Sequence, residues 1–484
     1  MALLTNASGP DSVTTLRAVI DRFDLVVIGG GPAGERGAAQ AAYFGKRVAL
    51  IERQPEPGGA AVHTGTLPSK TLREAGLFLS GYRQRDMYGV NVHVDPDMTV
   101  ARLLGRKDVV EGFETERIHA NLERHKIELI RGAGRVAGPN SVVVTGPDGE
   151  RALEAEYILI VTGSSPYRPA GIPYDEEGVH DADGILRINH LPTKLAVIGA
   201  GVIGCEYACM FAALGVEVHL IDPRPALLPF LDAEMGERLA EAMTTLGVRL
   251  HLERTLADVA REGGMFVTTL TSGAEIEADT VLIASGRSGN TGSLGLENVG
   301  VEVDRRGYVV VDEDFRTAAP SIYAAGDVVG FPALASVSME QARVAVCHAF
   351  GFTYKRQVAE LYPYGVYTIP EVSCVGLSED EAITRGTDVV VGRARFADNV
   401  RGQIVGDRDG MVKLVFDRSN RRLIGCHVIG ERASELVHVG QAVITLDGTV
   451  ETFIEMVFNH PTLGETFKYA AYDALAKLGP TDRV

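Results

Sequence analysis

The chain has 484 residues, 45% hydrophobic and 23% charged, the make-up of an ordinary globular protein of about three domains. Its 47 Lys+Arg against 64 Asp+Glu leave a net charge of −17, which excludes nucleic acid and anionic membrane as expected partners, since phosphate contacts need basic patches. No apolar run reaches the ~18 residues of a membrane span, and the opening MALLTNASGPDS lacks the basic and apolar regions of a signal peptide, so the cytoplasm is the expected compartment.

After a tail (residues 1–22), Asp24–Glu52 reads DLVVIGGGPAGERGAAQAAYFGKRVALIE. A buried-strand run (LVVIG) leads into a Gly-rich turn, a small-residue helix and a second strand (RVALIE), which is βαβ patterning. Helical patterns follow around Leu72–Arg85 and Val100–Glu123. Lys194–Asp222, KLAVIGAGVIGCEYACMFAALGVEVHLID, then repeats the first unit at a constant offset of 170 residues. Gly29, Gly31 and Gly34 fall on Gly199, Gly201 and Gly204, Gly45 on Gly215, and Glu52 on Asp222. The last ~125 residues change character. Their short alternating runs (GVYTIP, VVVGRARF, MVKLVF, RLIGCHVIG) predict an antiparallel sheet, backed by helices at Ala433–Leu446, Glu451–Val457 and Leu463–Leu478. The fold class is therefore α/β, with two Rossmann-like dinucleotide-binding domains and a C-terminal α+β domain.

The spacing of each repeat has a chemical reason. The first Gly permits the tight turn, the second lets a pyrophosphate approach the backbone, and the third allows close helix–strand packing. The helix N-terminus offers unpaired N–H groups and a positive dipole end to the phosphates. The terminal acid, Glu52 or Asp222, accepts hydrogen bonds from a ribose diol. Two such sites in one chain predict a flavin and a nicotinamide nucleotide, one giving hydride to the other. The five cysteines (Cys205, Cys209, Cys347, Cys374, Cys426) are odd in number and scattered, which predicts neither a disulfide framework nor a zinc or other metal site. Cys205 and Cys209, four apart on a predicted helix, read as packing residues.

Further segments punctuate the chain. Gly58-Gly59-Ala60-Ala61-Val62-His63-Thr64-Gly65-Thr66-Leu67-Pro68-Ser69-Lys70 follows the first fingerprint. ILIVTGSS, with Thr162 and Gly163, precedes the second; VLIASGRSGN, with Gly286, and SIYAAGDVVG, with Gly326 and Asp327, come after it. In this ordered set the chain resembles the flavoprotein disulfide reductases with two dinucleotide-binding domains, from about Phe23 to its end.

That resemblance implies FAD on the first fingerprint and NAD(H) or NADP(H) on the second. It implies an FAD domain in residues 23–156, an NAD(P) domain in 157–287, a return to the FAD domain in 288–357, and a domain in 358–484 that forms a homodimer. It places Asp327 on the flavin's ribityl chain and Lys70 near the reactive flavin nitrogen, paired with Glu206. Leu334 and Ala335 open a helix expected to point its positive end at the flavin's carbonyl edge. His460 and Glu465 match a C-terminal pair that, in the family, reaches the partner subunit's flavin and takes a proton from a thiol. Here His460 either protonates a substrate or fills the interface.

The departure from the family is as informative. Disulfide reductases carry two cysteines five apart in a GGxCxxxGCxPSK segment; the corresponding positions here are Ala61 and Thr66. Neither forms a thiolate, so hydride reaching the flavin has to leave directly to another acceptor. The segments Gly199–Ala208, Gly286–Thr291 and Tyr367–Gly376, and Gly392, Arg393 and Phe396 of GRAxF, look like the soluble pyridine-nucleotide transhydrogenase branch. The alternatives are an NAD(P)H:acceptor reductase serving a quinone, dye or metal, and a non-catalytic flavoprotein sensor or scaffold. Asp222 favours the ribose of NAD(H), and Arg224 partly offsets the repulsion of an NADP(H) phosphate. Together they predict a preference for NADH of roughly 10–100-fold, about 1.4–2.8 kcal/mol.

Overall fold

A computed structural model of the chain describes residues 21–81, 87–89, 96–174 and 177–478. Residues 1–20 of the expected tail, and residues 82–85 of one expected helix, lie outside the described residues.

The first repeat builds the centre of a seven-stranded sheet. Strand Asp21–Ile28 lies between Val48–Glu52 and Gly149–Ile160 and runs parallel to both. Val26, Val27 and Leu50 are completely buried, because helices cover one face of the sheet and strands Ala133–Gly138 and Ser141–Gly146, with apolar residues of the return segment, cover the other, leaving no side for polar alternation. Helix Pro32–Tyr43 lays Ala33, Ala38 and Ala41 against this sheet, and helix Ala335–Phe350 packs beside it. The return strand Ile322–Ala324 joins the same sheet through Gly149–Ile160.

The second repeat forms a five-stranded parallel sheet. Its order is Val248–Leu252, Glu217–Asp222, Lys194–Ile198, Thr280–Ile283 and Val179–Asp181. Antiparallel strands Leu256–Glu262, Met265–Leu270 and Glu275–Ala278 cover one face, pressing Phe266, Leu270 and Ile276 onto Ala196, Ile198 and Val281.

Two boundaries differ from the sequence expectation. The first sheet begins at Asp21 rather than Phe23. The division at 156/157 falls inside strand Gly149–Ile160, which belongs wholly to the first sheet. The apolar run Tyr157–Val161 is a strand in either assignment, and its composition carries no mark of which sheet it joins. The chain crosses between domains on a two-stranded ribbon, outward at Ser164–Pro166 and back at Arg287–Gly289.

The C-terminal domain is an antiparallel sheet of Tyr364–Val366, Glu371–Gly376, Leu423–Gly430, Met411–Asp417 and Val389–Arg395, in that order. Helices Ala433–Thr445, Val450–Glu455 and Glu465–Leu478 back it, with Phe416, Phe453 and Phe467 at the core. Of the GRAxF residues, Gly392 and Phe396 pack inside this domain, and Arg393 holds it to the second one. Gly392 has no room for a side chain, since a Cβ there would lie 1.9 Å from Ala470 O. Arg393 Nε reaches Glu234 at 2.8 Å and its Nη2 reaches Glu379 at 3.1 Å. Buried Lys413 completes the junction on Asp232 at 2.7 Å and Glu379 at 2.8 Å.

The two repeats coincide in detail. Gly29 and Gly199 take φ of +117° and +110°, the left-handed region glycine favours. A Cβ on Gly34 would fall 1.9 Å from Gly29 O, and one on Gly204 would fall 1.8 Å from Gly199 O. Around Gly201, in contrast, nothing lies within 4 Å of a built Cβ. Gly204→Ala should therefore cost about 3 kcal/mol by overpacking. Gly201→Ala should change stability by less than ~0.5 kcal/mol while weakening nucleotide binding. Calorimetric unfolding and nucleotide titration of the two variants separate these effects.

Candidate active site

A cavity of about 1510 Å³ opens at the carboxyl ends of the first sheet's parallel strands and extends to the second domain. Ligands of open α/β sheets bind at this edge. Its walls include Gly29, Gly31, Glu52, Gly59, Lys70, Thr162, Gly163, Gly326, Asp327, Leu334 and Ala335, and on the far side Gly201, Glu206 and Gly286. Gly34, Gly58, Gly199, Gly204, Asp222, Arg224, His460 and Glu465 are not on these walls. The structure thus brings most of the sequence-selected residues together and sets these eight apart. Gly34, Gly199 and Gly204 serve backbone geometry, while Gly58 donates its N–H to Gly30 O at 2.8 Å and orders the turn.

Each acid at the end of a repeat is held by two backbone amides. Glu52 accepts the Gly30 N–H and the Gln54 N–H, both at 2.8 Å. Asp222 accepts the Ala200 N–H at 2.7 Å and the Arg224 N–H at 2.8 Å. Arg224 adds its guanidinium, Nε to Oδ1 at 2.8 Å and Nη2 to Oδ2 at 2.7 Å. Burial pushes the Asp222 carboxyl up, but the arginine and the two amides outweigh it and hold the group below the usual carboxylate range.

Lys70 projects from helix Thr66–Ser80 of the first domain, and Glu206 from helix Val202–Ala213 of the second. Their Nζ–Oε2 separation is 2.6 Å. The other oxygen of Glu206 accepts the Tyr367 N–H at 2.9 Å, and Lys70 Nζ stands 4.8 Å from the centre of the Tyr367 ring. Tyr367 belongs to the C-terminal domain, so three domains meet at one ion pair. Sequence reasoning missed Tyr367, which stood out only as part of the YTIPEVSCVG segment.

Asp327 accepts from Ser164 Oγ at 3.0 Å and Ser338 Oγ at 3.4 Å, at the foot of the helix that Leu334 caps and Ala335 begins. Asp183 is a second residue the sequence did not flag. It lines the cavity, its Oδ1 is buried with no hydrogen-bond partner, and burial pushes its carboxyl above the usual range. An orphaned acceptor of this kind marks a place where a bound group completes the wall.

Ala61 and Thr66 both face the cavity, with His63 between them; His63 Nε2 contacts Pro57 O at 3.0 Å and its Nδ1 contacts Glu111. All five cysteines are free and none lines the cavity. Cys205 and Cys209 are buried, and burial pushes both thiols up, that of Cys209 to about 12. His460 Nδ1 lies 3.0 Å from both Glu465 oxygens, and this contact lowers the Glu465 carboxyl's pKa. The His460 side chain is 64% exposed, on the outer surface of the C-terminal domain rather than at this chain's own cavity. Among the described residues no cluster of His, Cys, Asp or Glu could hold a metal ion, and no helix is long and apolar enough to cross a membrane.

The cavity fits a dinucleotide. Gly31 presents bare backbone at the start of helix Pro32–Tyr43, and Gly59 Cα is the nearest atom a Cβ there would meet, at 3.8 Å. Glu52 waits at the adjoining strand end, as a ribose requires. Two Rossmann-type units facing each other across a Lys–Glu pair define a flavoprotein oxidoreductase that uses a nicotinamide nucleotide. Residues 23–349 match the pyridine nucleotide-disulphide oxidoreductase model, and 362–471 match the dimerisation domain of that family. The chain belongs to the pyridine nucleotide-disulphide oxidoreductase family, whose cofactors are FAD and NAD(P)H.

Among its relatives, a soluble pyridine nucleotide transhydrogenase of Mycobacterium bovis is 45% identical over 460 residues, spanning 94% of this chain and 98% of the relative. One from Hahella chejuensis is 39% identical, spanning 94% of this chain and 99% of its own length. Of solved structures, LpdA from Mycobacterium tuberculosis superposes with a TM-score of 0.86 at 30% identity, covering 94% of this chain and 99% of its own. The Cu(II) complex of the HOCl-induced flavoprotein disulfide reductase RclA from Escherichia coli superposes with a TM-score of 0.85 at 28% identity, covering 94% and 99%.

Removing Glu206 tests the junction. Glu206→Ala leaves Lys70 and the Tyr367 N–H without their partner and should cost about 1.5–3 kcal/mol. Glu206→Gln keeps an acceptor for Tyr367 and should cost less than half as much, yet both variants should slow reduction of the flavin by NADPH. Denaturant unfolding and anaerobic stopped-flow absorbance give the two readouts.

Proposed function

We propose that this chain is an FAD-dependent transhydrogenase that carries hydride from one nicotinamide nucleotide to the other, NADPH to NAD⁺ or NADH to NADP⁺. The observation that carries this reading is a mismatch at one wall of the cavity. The Lys70–Glu206 pair and both dinucleotide cradles are intact, while the two positions that would hold a dithiol are Ala61 and Thr66. Flavin reduction keeps its machinery, and the relay toward a disulfide substrate is gone. The relatives named transhydrogenases align over nearly the whole length, which supports the same conclusion.

FAD, when bound, accepts a hydride from one nucleotide and returns it to the next. The chain's own residues do the rest. Gly29, Gly31 and Glu52 would take the FAD pyrophosphate and adenosine ribose, with Gly34 packing the helix against the turn and Gly58 and Gly59 ordering it. Asp327 would hold its ribityl end, with Thr162, Gly163 and Gly326 lining the cavity beside it. Leu334 and Ala335 present helix N–H groups whose dipole favours negative charge on the reduced ring. Gly199, Gly201, Gly204 and Gly286 shape the nicotinamide nucleotide's path, with Asp222 and Arg224 at its adenosine end. Lys70, anchored by Glu206, places a fixed cation where the reduced ring is electron-rich. His460 and Glu465 lie on the surface that faces the partner in a homodimer, and the two chains complete each site together. The enzyme works in the cytoplasm, where both nucleotide pools are held.

The experiment is steady-state turnover with NADPH and thio-NAD⁺ while both are varied. Ping-pong exchange through one flavin predicts parallel double-reciprocal lines. Turnover confined to a quinone or dye, with no transfer to thio-NAD⁺, would replace this reading with an NAD(P)H:acceptor reductase.

A further inference from the structure

The internal repeat makes the two acid sites directly comparable. Position 54 corresponds to position 224, and position 30 to position 200, at the same 170-residue offset. The backbone amides of these four residues hold Glu52 and Asp222 in the same way. The difference lies in one side chain. Position 54 is a neutral glutamine, and among the described residues Glu52 receives no guanidinium. Position 224 is an arginine that lies bidentate on Asp222, at 2.8 and 2.7 Å. The acid that would accept a ribose diol is thus already covered. The Asp222 side chain is 3% exposed, while that of Arg224 is 43% exposed.

We infer that the Arg224–Asp222 pair is a shared latch that either nicotinamide nucleotide must open, and that it lets one site serve both. An NAD(H) ribose needs the Asp222 oxygens and displaces the guanidinium. The 2′-phosphate of NADP(H) needs the guanidinium and draws it off the acid. Asp222 keeps its two amide hydrogen bonds in both cases, so the exposed acid is not left unsolvated. Because both ligands break the same contact, its strength cancels from the ratio of their affinities. The freed guanidinium's pairing with the 2′-phosphate then offsets the advantage that an uncovered Asp222 gives NADH, and less than tenfold separates the two nucleotides. A single-site exchange enzyme needs this near-equality, since a nucleotide that binds much more tightly blocks the other. The inference rests on the transhydrogenase reading for its purpose only; the latch itself is a binding property.

The test uses the FAD-loaded dimer and calorimetric titration with 5′-AMP and 2′,5′-ADP, fragments that differ only by the 2′-phosphate. Arg224→Gln places the first repeat's residue in the second. It should weaken 2′,5′-ADP at least tenfold and leave 5′-AMP as tight or several-fold tighter. Asp222→Asn should weaken 5′-AMP without weakening 2′,5′-ADP. Unchanged FAD content and melting temperature establish that both variants fold. Equal weakening of both fragments by Arg224→Gln, or unchanged 2′,5′-ADP binding, overturns the latch. Fragment binding is measured without turnover, so the latch stands or falls separately from transhydrogenation.

Discussion

The contact on which the rest of the molecule depends is the 2.6 Å ion pair between Lys70 and Glu206. Each partner comes from a different domain, and the second oxygen of Glu206 is held by a backbone amide of the third. Lys70 also faces the Tyr367 ring, so its ammonium is fixed from two sides. Arg73, one turn further along the same helix, donates from Nε and Nη2 to Thr368 O, next to Tyr367. The segment around Tyr367 therefore ties the flavin-side helix Thr66–Ser80 directly to the C-terminal domain. A cation whose position is set by three domains needs no rearrangement when charge develops beside it, which is the basis of electrostatic preorganisation.

This constraint also explains what the family's cysteines leave behind when they are absent. Ala61 and Thr66 line the first domain's side of the cavity, while the contacts of Lys70 with Glu206 and of Ser164 with Asp327 are in place. The remaining cysteines are all off the cavity wall, where burial keeps the thiols of Cys205, Cys209 and Cys426 protonated and inert. The site retains what is needed to exchange hydride with a nucleotide and lacks what is needed to pass electrons to a disulfide.

Local features were legible in the sequence, and long-range ones were not. The 170-residue repeat identified both βαβ units, because turn, packing and ribose contact each demand a particular residue at a particular spacing. Gly34 against Gly29 O and Gly204 against Gly199 O show that demand as a steric fact. The antiparallel strands Leu256–Glu262, Met265–Leu270 and Glu275–Ala278 gave little signal, since short half-exposed strands resemble loops in composition. Tyr367 lies 161 residues from Glu206, and Lys413 lies 181 from Asp232; no periodicity spans such distances. Arg224 is legible in the sequence as a base beside the acid, but its bidentate seat on Asp222 depends on side-chain placement that spacing does not encode.

With Ala61 and Thr66 in place of a dithiol, flavin is left as the sole redox centre of the cavity. An anaerobic titration of the FAD-loaded enzyme with NADH tests it most directly. Complete bleaching of the flavin with two electrons per FAD, and no long-wavelength thiolate-to-flavin band, is the expected result. Uptake of four electrons per FAD, or the appearance of that band, would contradict it.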